Sequence, residues 1–331
     1  MSATTVNAPV PVEKGASLWR DAAYRLAKNR AATISLVVLT IIFIACLVLP
    51  FFPSLIPDPN LQELAGKNTP PSAEHIFGTD HLGRDIFSRV LYGGRITIAV
   101  GLITTSVSVT LGVLWGAIAG YVRGYVDDFM MRIVDILYAL PFLVIVILLG
   151  KTIEPWTTTL TNDTVRLIVG EGASVMDENA TRTWVEPITT LVPLFIAIGA
   201  LSWLTVSRIV RSQVRNVASQ DFVEASRSLG LGHFTILFKH ILPNSLGPII
   251  VYTTLTIPSI MLFEATLSFL GLGVKPPNSS WGILISEGAD RMSANFWLLF
   301  FPSLFFATTL FALNFLGDGL RDALDPKSSK D

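Results

Sequence analysis

The sequence predicts an all-α integral membrane protein with six transmembrane helices. Of its 331 residues, 51% are hydrophobic and 15% are charged, and the mean hydropathy is +0.57. Soluble domains carry roughly a quarter charged residues, so this composition excludes an ordinary soluble protein. The formal net charge of -1 argues neither for nor against nucleic-acid binding. The single cysteine, Cys46, cannot form an internal disulfide.

Six apolar runs are long enough to cross a bilayer as helices. About 20 residues are needed, because lipid offers no partner for backbone polar groups and each segment must bond its own. The first run is longer than the apolar core of a signal peptide and follows a long polar leader, so we expect it to remain as an anchor. The predicted spans are residues 33–52, 97–119, 131–150, 188–207, 246–267 and 296–316.

The positions of Lys and Arg predict the orientation. Fifteen of the 24 basic residues lie before the first span, in the second-to-third and fourth-to-fifth connections, and after the sixth span. Basic residues concentrate on the cytoplasmic side, so both termini and the fourth-to-fifth connection are predicted to be cytoplasmic. Residues 51–95 and 151–187 then face outward. No nucleic-acid partner is expected.

The same pattern predicts the organisation of the chain. Residues 1–30 are a cytoplasmic N-terminal tail with a short amphipathic segment, 31–95 the first span and an outward loop, 96–316 the transmembrane core, and 317–331 a cytoplasmic C-terminal tail. Within the core, residues 151–187 form an outward insert with six acidic and three basic residues. This charge predicts a solvated cap, with a contact to a binding protein as the alternative.

The cytoplasmic fourth-to-fifth connection contains the stretch EASRSLGLGHFTILFKHILPN, from Glu224 to Asn244. Asp221 can cap a first helix, and the glycines at 230 and 232 end it. Pro243 is expected to end the second helix. The apolar positions predicted to share a face are Phe222, Ala225 and Leu229 in the first helix, and Phe234, Leu237, Phe238 and Ile241 in the second. The pattern leaves open an amphipathic hairpin on the membrane surface. A DNA-reading helix-turn-helix fits poorly, because the bilayer holds both ends.

This stretch resembles the EAA loop of ABC-importer membrane subunits. EASRSLG is followed after nine residues by HILP, which matches the spacing of that loop, with departures at Ser226 and His240. The resemblance implies a cytoplasmic coupling loop at 210–245, whose first helix fits a cleft in an ATPase subunit. The implied coupling residues are Asp221, Phe222, Val223, Glu224, Ala225, Ser226, Arg227, Leu229, Gly230 and Gly232.

Three further segments look like the C-type permease subunit of oligopeptide, dipeptide and nickel importers. They are residues 77–101, 116–141 and 264–282. The resemblance implies the type I ABC importer permease fold in a bacterial plasma (inner) membrane. It also implies a homologous second permease forming a heterodimer, two ATPase subunits that hold ATP and Mg, and an extracytoplasmic substrate-binding protein. The chain itself is expected to have no catalytic residue and no bound cofactor.

The expected substrate is an oligopeptide or dipeptide. A nickel chelate or another small solute is the alternative within the same importer type, and a secondary transporter or channel is the alternative from a different class.

Gly150-Lys151-Thr152 has the ending of a nucleotide-binding loop, but Ile145 stands where that loop requires glycine. ATP is therefore expected on another subunit.

The second span carries Gly112, Gly116 and Gly120 at every fourth residue, which predicts a close helix–helix seam. A ridge lining the translocation path is the alternative, and the spacing does not distinguish a partner helix in this subunit from one in a second subunit.

After this span, Asp128, Arg132 and Asp135 can pair along one helix face. A contact with the ATPase is the alternative for these charges.

Glu264, in the fifth span, is an ionisable group at membrane depth, where such groups face protein or water. Pairing with Arg291 is the favoured role, and lining a substrate vestibule near Ser268 is the second. No metal site is expected, because His75 and His81 lie outward while the other two histidines, His233 and His240, are cytoplasmic.

Overall fold

The computed structural model describes residues 18–52, 55–170, 175–275 and 278–324. These residues contain five helices long and apolar enough to cross a membrane, and one bent helix pair that meets the same criterion when its two helices are taken together. The helices are α1 (Leu18–Lys28), α2 (Arg30–Val48), α3 (Ile86–Val122), α4 (Gly124–Ala139), α5 (Phe142–Val169), α6 (Val175–Thr189), α7 (Val192–Ala218), α8 (Asp221–Ser228), α9 (His233–Thr235), α10 (Leu242–Phe269), α11 (Trp281–Ala289) and α12 (Trp297–Leu324). A π-helical segment, Ile236–Ile241, joins α9 to α10. The prediction of an all-α membrane protein is confirmed, and the described residues supply five candidate spans, or six when the bent pair is counted as one span.

The predicted third span, 131–150, is not one straight helix. Helices α4 and α5 meet at Leu140 and Pro141 with a bend of 90°. Leu140 has extended backbone angles, as the proline ring that follows it requires. The apolar run was correctly recognised, and the proline within it was not taken as a break.

The predicted outward insert, 151–187, is largely helical. Helix α5 continues through it to Val169, and α6 occupies most of the remainder. The two helices pack together through a buried hydrogen bond of 2.6 Å between the hydroxyls of Thr161 and Thr189. Residues 171–174 of the insert, residues 1–17 of the N-terminal tail and residues 325–331 of the C-terminal tail lie outside the described residues.

Helices α3 and α7 form the central seam of the structure. A Cβ atom added to Gly112 would lie 2.6 Å from Cβ of Val206, and one added to Gly120 would lie 2.7 Å from the carbonyl oxygen of Arg211. At Gly116 it would collide with the carbonyl oxygen of Ser207. The seam is therefore formed within this subunit.

An ion-pair network centred on Asp80 joins the loop before α3 to α3 and α11. The carboxylate of Asp80 accepts hydrogen bonds from Nε of Arg84 at 2.7 Å and from Nη1 of Arg89 at 3.0 Å. Arg89 also binds Glu287 of α11 at 2.6 Å. The indole of Trp281, at the start of α11, donates to the carbonyl oxygen of Val90 at 2.9 Å. Helix α11 is thereby fastened to α3 at both of its ends.

The seam predicts that Gly116→Ala lowers the free energy of unfolding by about 1–3 kcal/mol, because the added methyl group overlaps the α7 backbone. Gly247→Ala is the matched control, since a Cβ there meets no atom within 4 Å and alanine favours helix by up to about 1 kcal/mol. Unfolding in detergent, followed by circular dichroism, measures both. Equal stabilities of the two variants would contradict the seam.

The ion-pair network around Asp80 predicts that the stability of the protein depends on pH. Burial raises the pKa of Asp80, but the hydrogen bond from the Arg84 backbone and the charges of Arg89 and Arg84 outweigh it, so the pKa lies below its ordinary value of 3.8. The ionised network therefore contributes fully above about pH 4, and this contribution is lost as the pH falls through the lowered pKa.

Asp80→Asn is expected to lower the unfolding free energy at pH 7 by about 3 kcal/mol and to flatten its fall in acid. Asp58→Asn, at an exposed outward position, is the control. Thermal unfolding midpoints between pH 3 and pH 7 test this, and parallel pH profiles for the wild-type protein and Asp80→Asn would refute it.

Candidate coupling interface

Helix α8 follows the C-terminal end of α7 after a two-residue turn. Gln220, rather than Asp221, is the N-cap residue, and its side chain makes no capping hydrogen bond. Asp221 and Glu224 instead lie in the first helical turn, where carboxylates interact favourably with the helix dipole. The predicted cap was therefore misplaced by one residue.

Helix α8 turns a narrow face toward the protein and a broad one away from it. Val223 is fully buried, and Ser226 is buried with its hydroxyl donating to the carbonyl oxygen of Phe222 at 2.7 Å. The predicted apolar face is exposed, with Leu229 at 80% exposure. We name this surface, Phe222, Ala225 and Leu229, the coupling face.

A glycine turn ends α8. The N–H of Leu231 donates to the carbonyl oxygen of Ser226 at 3.3 Å, and that of Gly230 donates to Arg227 at 2.9 Å, which is the pattern of a Schellman cap. Gly230 has φ of +78°, a backbone conformation that favours glycine. Gly232 has φ of -66°, so the backbone requires glycine only at the first of the two positions.

The second helix does not end at Pro243, contrary to the prediction. It continues from His233 through the π-helical segment into α10, so that the coupling loop and the fifth span form one helix from His233 to Phe269. In the π-helical segment the N–H of Leu242 donates to Leu237, five residues back. This wider turn accommodates the proline that follows, whose ring would clash in a regular α-helix.

The predicted apolar face of this helix is divided. Leu237 and Ile241 are buried against α7 and α8, in a cluster that includes Val223. Phe234 is 81% exposed and stacks on Phe238 with ring centroids 5.9 Å apart. The exposed aromatic rings form a second apolar surface on the same loop as the coupling face.

Two polar contacts hold the coupling loop to α3. Nδ1 of His233 lies 2.9 Å from the hydroxyl of Tyr121, and the guanidinium of Arg227 lies 5.7 Å from the centre of the same ring. Tyr121 is at the C-terminal end of α3. Both helices of the loop thus have a contact with the second span.

The charges of α4 pair with α7 rather than with each other. Asp127, a residue that the sequence reading missed, receives two hydrogen bonds from Arg211 at 2.5 and 2.6 Å, and Arg215 lies 3.5 Å away. Asp135 binds Arg208 at 2.7 Å. The predicted pairing of Asp135 with its own helix is therefore wrong. The sequence does contain a sign of this contact, because Arg208, Arg211 and Arg215 are three and four residues apart and therefore lie on one face of α7.

Known proteins match this chain over most of its length. The model of the family described as binding-protein-dependent transport system inner membrane component matches residues 112–330. The chain belongs to this family. A second model, for the N-terminal TM domain of oligopeptide transport permease C, matches residues 17–71. Permease subunits of this family are not enzymes, because ATP hydrolysis takes place on separate subunits.

Individual relatives cover nearly the whole permease. The oligopeptide transport system permease protein OppC of Haemophilus influenzae is 43% identical over 315 residues, which is 95% of this chain and 90% of that protein. The corresponding OppC of Escherichia coli strain K12 is 41% identical, covering 95% and 93%. The dipeptide transport system permease protein DppC of Bacillus subtilis is 39% identical, covering 94% and 86%.

A solved structure shares the fold of this permease. The MetNI methionine ABC transporter, in an inward-facing conformation, matches 72% of this chain and 98% of that chain with a TM-score of 0.52. The sequence identity is 18%, so the likeness concerns the fold alone. The chain is a multi-pass membrane protein with the type I ABC importer permease fold.

Glu264 of the permease has a different partner from the one predicted. It is fully buried, and its Oε1 accepts hydrogen bonds from Ser268 at 2.7 Å and from Ser280 at 2.6 Å. The expected ion pair with Arg291 is not formed. Ser280 is the N-cap of α11, where it also accepts a hydrogen bond from the N–H of Ile283 at 3.3 Å. Glu264 therefore fastens α11 to α10.

The described part of the permease contains no group of three or more His, Cys, Asp or Glu side chains that could hold a metal ion. Of the four histidines, His75 lies 3.0 Å from Asp85 and His233 lies beside Tyr121. These two side chains have structural partners on opposite ends of α3.

The α4–α7 contact predicts unequal effects of removing its two acids. Asp127 has a side chain 3% exposed, so Asp127→Ala leaves Arg211 without its buried partner and should cost about 3 kcal/mol of unfolding free energy. Asp135 has a side chain 57% exposed, so Asp135→Ala should cost less than about 1 kcal/mol. Chemical denaturation in detergent compares them. A loss for Asp135→Ala as large as that for Asp127→Ala would disprove the assignment.

Proposed function

We propose that this permease forms the translocation path of an ATP-driven importer for oligopeptides or dipeptides. The proposal is supported by relatives named as oligopeptide and dipeptide permease proteins that match at 39–43% identity over nearly the whole chain. A nickel chelate or another small solute remains the alternative within the same importer type. A secondary transporter or channel would transport without ATP, which the experiment below distinguishes.

The proposed assembly has a homologous second permease, two ATPase subunits that bind ATP and Mg, and an extracytoplasmic substrate-binding protein. The membrane is a bacterial inner membrane, with both termini of the chain in the cytoplasm. The observation that carries the proposal is the coupling face, whose apolar residues point away from the subunit and beside which Glu224 and Arg227 are exposed. An exposed apolar surface with charges at its margin is typical of a protein-binding site.

The packing of the helices supports a route by which movement of the ATPase subunits reaches the membrane spans. A displacement of α8 acts on α7 through Val223 and on the long helix His233–Phe269 through the buried residues of the π-helical segment. At its far end this helix holds α11 through Glu264 and Ser280. We therefore propose that ATP-driven closure of the ATPase pair is transmitted to the outward end by rigid helices.

The α5–α6 hairpin has a separate proposed role. Its exposed acids, which include Asp163, Asp177 and Glu186, support a solvated outward cap. Contact of the hairpin with the substrate-binding protein is the alternative. In either role the hairpin is proposed to lie on the side of the membrane opposite to the coupling face.

Substitutions in α8 test the coupling assignment. Glu224→Lys reverses a charge beside the coupling face, and Gly230→Val places a β-branched side chain at φ of +78°. Each should lower ATP-driven peptide uptake by tenfold or more, on the order of 1.4 kcal/mol, while the subunit remains inserted. Gly247→Val is the matched control, because Gly247 lies in α10 outside the coupling loop, has no positive φ and has no atom within 4 Å of an added Cβ.

The measurement uses proteoliposomes that contain the two permeases, the ATPase subunits and the binding protein. Peptide uptake, ATPase activity and co-purification of the ATPase subunits are recorded for each variant. Normal uptake in both Glu224→Lys and Gly230→Val would eliminate the coupling role. ATP-independent uptake by the purified chain would instead support the secondary transporter.

A further inference from the structure

A cavity of about 230 Å³ lies between the first half of α5, the start of α7 and the end of α10. Its apolar wall is formed by residues such as Val146, Leu194 and Leu267. Polar groups also line it, among them the buried Thr157 and the hydroxyl-bearing Thr190. The coupling face, the α3–α7 seam and the Glu264 contact use none of these lining residues.

Two cations line this cavity. Lys151 comes from α5 and Lys275 from the segment after α10, and both are exposed. In the proposed orientation the chain has three outward lysines, Lys67 being the third, so two of the three lie at one cavity. Each of these two also has an interaction within the chain. An ammonium group has three hydrogens, so a further anionic oxygen can be bound.

The size and polarity of the cavity define the class of ligand. An apolar protein cavity of about 150 Å³ binds benzene, so about 230 Å³ accommodates an aromatic or aliphatic side chain together with its own backbone carboxylate. A carboxylate near two ammonium groups forms charge-assisted hydrogen bonds, and the apolar wall covers the side chain. A phospholipid with two long acyl chains is much larger than this space.

We propose that the cavity binds the C-terminal residue of a transported peptide, with its carboxylate at Lys151 and Lys275 and its side chain against the apolar wall. This inference rests on the proposed peptide import. In the proposed orientation the site is on the outward side, which is the side on which the proposed binding protein releases the peptide. It gives the permease its own selection for peptides with a free carboxyl end.

The experiment compares a tripeptide ending in phenylalanine with the same tripeptide as its C-terminal amide. The affinity of the binding protein for each peptide is measured separately, and each is then supplied at saturation to proteoliposomes containing the whole importer. Three variants are compared. The first is the double variant Lys151→Gln, Lys275→Gln, which removes both charges, and the second is Thr158→Trp, which fills part of the cavity without removing a charge. The third, Lys67→Gln, is the control at an exposed lysine away from the cavity.

The double lysine variant should import the free acid about tenfold more slowly than wild type and should import the amide at an unchanged rate. Thr158→Trp should slow both peptides, because it occupies the space of the side chain. Lys67→Gln should resemble wild type. Together these three results support the site.

Equal import of the free acid by the wild-type protein and the double variant overturns the inference. An equal slowing of the free acid and the amide in the double variant also overturns the inference, because the two lysines would then support the packing of the protein and not bind a carboxylate. Loss of a co-purified phospholipid from the double variant, detected by native mass spectrometry with uptake unchanged, would make the cavity a lipid site. Failure of the wild-type importer to move either peptide would instead overturn the proposed function.

Discussion

The backbones of α3 and α7 approach each other along Gly112, Gly116 and Gly120, and the other elements of the core take their positions from this contact. Without side chains on that face, the two helices pack closely enough for α7 to present its arginines to α4 on one side and its valines to the coupling loop on the other. Van der Waals contact of this kind is the main source of helix association in lipid, where the hydrophobic effect does not act between apolar helices.

From this seam the structure extends in both directions through continuous helices. At one end, Val223 of α8 packs in the cluster of α7 and the π-helical segment. At the other end, the long helix that begins at His233 carries Glu264, which bonds the N-cap residue of α11. Packed side chains and hydrogen bonds thus connect α8 to α11 through one helix.

The region around α11 combines two kinds of polar contact with different physical consequences. The carboxylates of Asp80 and Glu287 are paired with arginines, and breaking the buried Asp80–Arg89 pair leaves an uncompensated charge. Glu264 has hydroxyl partners and no cation, so it contributes as a hydrogen-bond acceptor that positions α11. The cavity between α5, α7 and α10 is separate from both, and its cations lie at the rim.

The sequence by itself determined the fold class, the apolar runs that form the long helices and the glycine turn that ends α8. Apolar run length follows from bilayer thickness, and the glycine turn at Gly230 follows from a backbone conformation that other residues rarely adopt. These properties depend on local chemistry, so periodicity and residue type were sufficient to predict them.

Only the tertiary structure decided which groups meet. Asp127 finds Arg211 on another helix, Glu264 finds Ser280 rather than Arg291, and the apolar face of α8 points outward while Val223 points inward. The helix through Pro243 continues because a π-helical turn relieves the clash of the proline ring. Each of these outcomes depends on the distance and angle between elements far apart in the chain, and helical spacing reports only on neighbours within one helix.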